Sequence, residues 1–142
     1  MASERGEGQT GGFILRGSDS HQDQRYLTER HLPLYSGNDN LTLPLLALGA
    51  QGVISVAGNV IPATMREICY AYFAGDTARA RQAHLSALAL MDACMAEVNP
   101  IPVKTACAMM GLCREEFRLP LCPMQGAARE HLAEVLREYG MI

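Results

Sequence analysis

The sequence predicts an α/β fold in which helix predominates, and three observations carry that prediction. Gly52-Val53-Ile54-Ser55-Val56-Ala57 is nearly continuous in apolar, mostly β-branched residues, with Gly52 opening it and Gly58 following. A run apolar on both faces is the pattern of a strand buried in a parallel sheet, not of an antiparallel edge. A shorter apolar run, Leu32-Pro33-Leu34-Tyr35, precedes it at a distance that fits a short helix. Residues 31–57 therefore read as a compact βαβ unit. From Pro62 to the C-terminus, apolar residues recur at spacings of three and four, the period of helices buried along one face.

Each element follows in order. Residues 1–30 hold only seven apolar residues amid Gly, Ser, Gln, Asp and Arg. Such a segment has little to offset its ordering entropy. Its first dozen residues are expected to be disordered, and residues 13–30 to form at most a short, loosely packed helix or strand. The run 32–35 is a strand ending in the turn Ser36-Gly37-Asn38-Asp39. Asp39 or Asn40 is placed to cap a helix through Leu48, with Pro44 near its first turn and Gly49 as its stop. The second strand spans residues 52–57.

The remainder is helical. Pro62 opens a helix whose stripe is Met65, Ile68, Cys69 and Tyr72, ending before Gly75. Asp76 caps a longer one to about Glu97, with Leu85, Leu88, Met91 and Met95 spaced by three and four. Asn99-Pro100-Ile101-Pro102 interrupts it, since two prolines this close forbid continuous helix. A short helix runs from about Pro102 to Met110 and stops at Gly111. Residues 118–124 are extended and punctuated by proline. The last helix covers about 126–139, with Leu132, Val135, Leu136 and Tyr139 on one stripe.

Composition excludes several function classes. Twelve Lys and Arg against fifteen Asp and Glu leave a net charge of −3, which argues against nucleic-acid and anionic-membrane binding. No run approaches the ~18 continuous apolar residues of a membrane helix, and residues 1–10 carry no apolar secretory core. The expectation is a soluble, cytoplasmic chain. Five cysteines without any C-x-x-C pair read as reduced thiols, not as a disulfide framework or zinc site. No metal site is expected.

The residues alone present no catalytic constellation. The four histidines are scattered, and His84 and His131 read as exposed or half-buried helix residues. Asp39 has the chemistry to bind a ligand, although its spacing favours a helix cap. Gly37 and Gly58 each follow a strand, where α/β proteins place ligand-facing loops. Lys104 is the only lysine. A lysine amine in an apolar pocket can attack a ketone to form an imine. At the start of a short helix, however, Lys104 is better placed to snorkel or to pair with Glu97 or Glu115.

Three blocks in this order carry a resemblance: Leu34-Tyr35-Ser36-Gly37-Asn38-Asp39 with Leu43-Pro44-Leu45-Leu46-Ala47-Leu48-Gly49; Gly52-Val53-Ile54-Ser55-Val56; and Asn99-Pro100-Ile101-Pro102-Val103-Lys104 followed by Arg118-Leu119-Pro120-Leu121. Over residues 32–142 they resemble the C-terminal part of the dihydrodipicolinate synthase family of lysine-imine aldolases and lyases. The resemblance implies the last two strands and helices of a TIM (β/α)₈ barrel, an incomplete barrel, followed by a C-terminal helical extension. Residues 1–30 would then be an unmatched head, 31–75 the closing βαβα part and 76–142 the extension.

The chemistry so implied is condensation of pyruvate with aspartate β-semialdehyde through a lysine imine, on the route to diaminopimelate and lysine. It requires no cofactor, because the protonated imine is itself the electron sink. A homo-oligomer is implied as well. Gly37, in the loop at the active-site mouth, and Ile54, whose carbonyl would lie near pyruvate, carry over as substrate-binding positions, with Asp39 as a weaker third. No catalytic residue carries over. The imine lysine would stand at the end of the sixth strand, within residues 1–30, which contain no lysine. Lys104 matches a lysine of the helical extension instead. The Asn99–Lys104 string favours the synthase over a keto-deoxy-sugar-acid aldolase of the same family. A non-catalytic helical interaction module is the alternative from another class. Two parallel strands alone would leave an open edge and an uncovered apolar face, which predicts self-association.

Overall fold

The computed structural model describes residues 13–15 and 33–142. Strand β1 (Phe13–Leu15), β2 (Leu34–Ser36) and β3 (Gly52–Val53) form one parallel sheet in the order β1-β2-β3. Phe13 registers with Leu34, Ile14 with Tyr35 and Leu15 with Ser36, while Tyr35 and Ser36 register with Gly52 and Val53. The sheet thus has one strand more than the two expected. The addition is Phe13-Ile14-Leu15, the one apolar triplet of the head, placed on the edge β2 would otherwise leave unpaired. The expectations for residues 1–12 and 16–30 lie outside the described residues.

β3 is much shorter than the run 52–57 suggested. The Ile54 amide still donates to the Ser36 carbonyl at 2.8 Å, but the chain then curls into a 3₁₀ turn over Ala57–Asn59. Asp39 causes this. One carboxylate oxygen, Oδ2, accepts from the Val56 amide at 3.0 Å and from the Ala57 amide at 2.8 Å. Those amides are thereby taken from any ladder. The expected capping role of Asp39 and Asn40 is corrected by the same contacts. Residues Asp39–Leu41 form a 3₁₀ turn without a side-chain cap, leading into helix α1 (Thr42–Ala47). The Asn40 side chain instead donates to Asp92 Oδ1 at 3.0 Å.

Four longer helices follow. α2 (Pro62–Phe73) buries Met65, Ile68 and Ala71, with Cys69 and Tyr72 packed at the core margin, and ends before Gly75 at φ 84°. α3 (Thr77–Ala93) is capped as expected, Asp76 Oδ1 accepting from the Arg79 amide at 3.0 Å. Its buried stripe differs from the expected one. Ala80, His84, Ala87, Leu90, Met91 and Cys94 face inward, while Leu85 is 60% and Met95 41% exposed. Ala87 shares the main core with Met65 and Ile68 of α2, and a small residue there leaves room for a close approach that a face led by Leu85 would prevent.

His84 is accordingly buried, not exposed or half-buried, and its Nδ1 has no partner among the described residues. Burial holds its imidazole below the ordinary value of 6.5, despite a hydrogen bond with the Asn40 backbone that favours the charged form. The folded chain therefore refuses a proton that the unfolded chain accepts, and stability should decline as pH falls below about 6.5. Denaturant midpoints measured between neutral and mildly acidic pH should show this decline, and His84→Gln should flatten it. An unchanged slope in the variant would contradict the assignment.

α4 (Ile101–Met109) starts just after Pro100 and buries Ile101, Pro102, Val103, Thr105 and Ala106. α5 (Gly126–Glu138) buries Leu132, Val135 and Leu136, as its stripe predicted. Glu115 ties the intervening segment to both helices. It accepts from Thr105 Oγ1 at 3.0 Å and from Arg129 Nη2 at 2.9 Å, and the Arg129 hydrogen bonds hold its carboxyl below the usual range. The main core lies among the helices, around Leu46, Ile68, Leu90, Met91, Leu132 and Leu136. Among the described residues, Leu34, Leu45 and Ala50 form a second, small cluster beside the sheet.

Candidate functional site

The C-terminal ends of parallel strands are where α/β folds bind ligands, because the connecting loops diverge there. Here the loops after β2 and β3 border a cleft of about 430 Å³. Gly37 and Asn38 line it from the first loop; Ile54, Ser55, Val56 and Asn59 line it from the second. Met95, Asn99, Pro100 and Val103 close it from the helical region. Gly37 and Ile54 are thus brought together, and the Asn99–Pro100 string, read in the sequence as a helix interruption, reaches the same space.

Local hydrogen bonds shape both loops. The Ser36 hydroxyl, fully buried, donates to the Asn38 carbonyl at 2.7 Å and accepts from its amide at 3.3 Å. Ser55 Oγ accepts from the Gly58 amide at 2.7 Å, and the Asn59 side chain donates to the Val56 carbonyl at 2.9 Å. Asp39 does not line the cleft. It lies buried behind it, 1% exposed, and ties one loop to the other through the Val56 and Ala57 amides. Its second oxygen, Oδ1, and Thr42 Oγ1 are buried without a partner among the described residues.

Among the described residues, none that lines the cleft is ionisable. Three carboxamides (Asn38, Asn59 and Asn99) supply its polarity, and Ile54, 49% exposed, supplies apolar surface. Such a wall can hold and orient a ligand, but among the described residues it offers neither an amine for an imine nor a general base. Lys104 stands elsewhere. Its Nζ donates to the Glu116 backbone carbonyl and sits 5.2 Å from the Phe117 ring centroid. The expected pairing with Glu97 or Glu115 is therefore replaced by a carbonyl and an aromatic face. Among the described residues no group of three potential ligands could hold a metal, and no helix is long and apolar enough to cross a membrane.

The three asparagines were missed as site residues. Asn59 follows Gly58 in the turn after β3, and that position was the available signal. Asn99 reaches the cleft only through the helical packing, which no local pattern reports.

Comparison with known proteins identifies the family. The sequence matches the family described as dihydrodipicolinate synthetase over residues 14–139, which takes in part of the head that the resemblance left unmatched. It is 51% identical over 106 residues to the 4-hydroxy-tetrahydrodipicolinate synthase of Geobacter metallireducens, covering 75% of this chain and 37% of that protein. The crystal structure of dihydrodipicolinate synthase from Aquifex aeolicus superposes with a TM-score of 0.83 at 42% identity, over 90% of this chain and 45% of that one. The chloride-inhibited Acinetobacter baumannii enzyme, complexed with pyruvate, matches at 0.81 and 35% identity, over 87% and 43%. The chain spans less than half the length of these relatives, and the match falls on their C-terminal portion.

Proposed function

Because this chain belongs to the dihydrodipicolinate synthetase family, we propose that it serves as the C-terminal portion of a 4-hydroxy-tetrahydrodipicolinate synthase-like lyase. In this reading residues 31–75 are the closing βαβα part of the barrel and residues 76–142 its helical extension. The observation that carries it is the cleft at the ends of β2 and β3, where Gly37 and Ile54 meet. Gly37 leaves room at the mouth, and Ile54 presents its backbone toward the keto acid. Asp39 acts from behind, holding the two loops at one separation.

The reaction of the complete lyase begins with a lysine amine attacking the pyruvate ketone and releasing water to form an imine. The derived enamine adds to the aldehyde of aspartate semialdehyde, and cyclisation follows. Residues of this chain wall the site, and none supplies the amine. β1 precedes β2 in the sheet, as the sixth strand would precede the seventh, and the sequence continues from it with Arg16-Gly17-Ser18. A guanidinium stays protonated at neutral pH and does not form the imine. The homo-oligomeric assembly and cytoplasmic setting belong to the same reading.

A graft tests it. Residues 32–142 replace the C-terminal portion of the Geobacter metallireducens synthase, which contributes everything upstream. The chimera should consume aspartate semialdehyde only when pyruvate is present. Gly37→Leu, which fills the mouth, should lower turnover roughly 100-fold, as small misplacements of bound substrate do. A chimera that melts cooperatively and shows no activity would refute the assignment.

A further inference from the structure

Two thiols outside the site lie against one turn of α4. After Met109 the helix ends in a glycine cap. Gly111 adopts φ 75°, its amide donates to the Ala108 carbonyl at 3.0 Å, and the Leu112 amide donates to the Cys107 carbonyl at 2.9 Å. This reversal brings the next residue back along the helix. The Cys113 sulfur lies 3.8 Å from the Lys104 carbonyl oxygen, one turn before Cys107. The Cys107 sulfur lies 3.8 Å from the Asn59 carbonyl oxygen, and Asn59 lines the cleft. Cys113 is exposed and Cys107 half-buried, both in the thiol form.

We propose that Cys107 and Cys113 form a peroxide-responsive dithiol, closing to an intrachain disulfide beside the cleft. The exposed Cys113 meets the oxidant first. Its thiolate attacks one peroxide oxygen, the O–O bond breaks, and the departing hydroxide takes up a proton to leave as water. The Cys113 sulfenic acid so formed is attacked by the Cys107 sulfur, the S–O bond breaks, and a second water leaves. Two thiols are oxidised and one hydrogen peroxide is reduced to two waters. Burial pushes the Cys107 thiol up, which leaves the first reaction with oxidant to the exposed Cys113. Because Cys107 is the member that touches the Asn59 carbonyl, closure also moves a group bordering the cleft.

Trypsin makes the test simple, since cleavage after Lys104 and Arg114 leaves both cysteines on one peptide. Hydrogen peroxide added to the native 142-residue chain should remove two hydrogen masses from the peptide 105–114. Cys113→Ser should abolish that loss, whereas Cys122→Ser should preserve it. The Val60 amide, bonded to the Asn59 carbonyl carbon, should shift in a nitrogen–proton spectrum on oxidation of the parent chain and not of Cys113→Ser. Pairing of either thiol with Cys122, or an equal closing rate in urea, would overturn the proposal. A disulfide formed without the Val60 shift would overturn its reach into the cleft.

Discussion

Asp39→Ala should lower the unfolding free energy of the chain by about 3 kcal/mol, because hydrogen bonds to a charged group contribute ~1.5–3 kcal/mol each. Both bonds are lost at once. The Val56 and Ala57 amides donate to the same oxygen at 3.0 and 2.8 Å, and Ala57 is fully buried, so water cannot replace the acceptor. Asp39→Asn keeps a carbonyl oxygen and should recover a good part of the loss. Denaturant titration measures the difference directly. The same substitution should speed amide exchange at Val56 and Ala57 more than at Leu132 or Leu136, which lie in the helical core. Equal midpoints for parent and alanine variant would show that the clamp contributes nothing.

Leu90→Ala carries the second large effect. Leu90 is 0% exposed and packs within the main helical core, and truncations of buried leucine remove ~2–5 kcal/mol through lost transfer energy and the cavity left behind. Leu85→Ala, five residues earlier on the same helix, should change stability by less than about 0.5 kcal/mol, because Leu85 is 60% exposed. The contrast matters more than either value. By spacing alone Leu85 belonged to the expected stripe and Leu90 did not, so a large Leu85 effect would favour the sequence reading over the packing described.

That pair shows where local pattern stops being informative. Helix existence was legible: Pro62, Asp76, Gly111 and the stripe Leu132-Val135-Leu136 each act through neighbours a few residues away. The face of α3 was not legible, because it depends on packing against α2, where Ala87 meets the core of Met65 and Ile68. The end of β3 depends on Asp39, seventeen residues earlier. An apolar, β-branched run looks the same whether or not a distant carboxylate takes its amides. For β1 the segment 13–30 was read as at most a short helix or strand, but its pairing with β2 was not legible, since three apolar residues in a polar segment mean little until an open parallel edge is beside them.

The candidate site divides along the same line. Gly37 was readable because it follows a strand, and strand ends point to ligands in any parallel sheet, whereas Ile54, inside the expected second strand, was named only through the family resemblance. Asp39 was readable as a residue of consequence, though its contacts lie behind the cleft. Asn99 enters only because the helical region folds back over the strand ends. The lysine count was the most informative single property of the composition. One lysine, at 104, is bound to the Glu116 carbonyl and the Phe117 ring on a different surface from the cleft.

The central claim is that this chain carries part of the wall of a pyruvate site without the amine that would react there. Incubation of the 142-residue chain with pyruvate and sodium borohydride, followed by intact mass and peptide mapping, tests it most directly. The expected result is an unchanged mass, with the peptide ending at Lys104 unmodified. A reduced pyruvyl adduct on Lys104 would contradict the account.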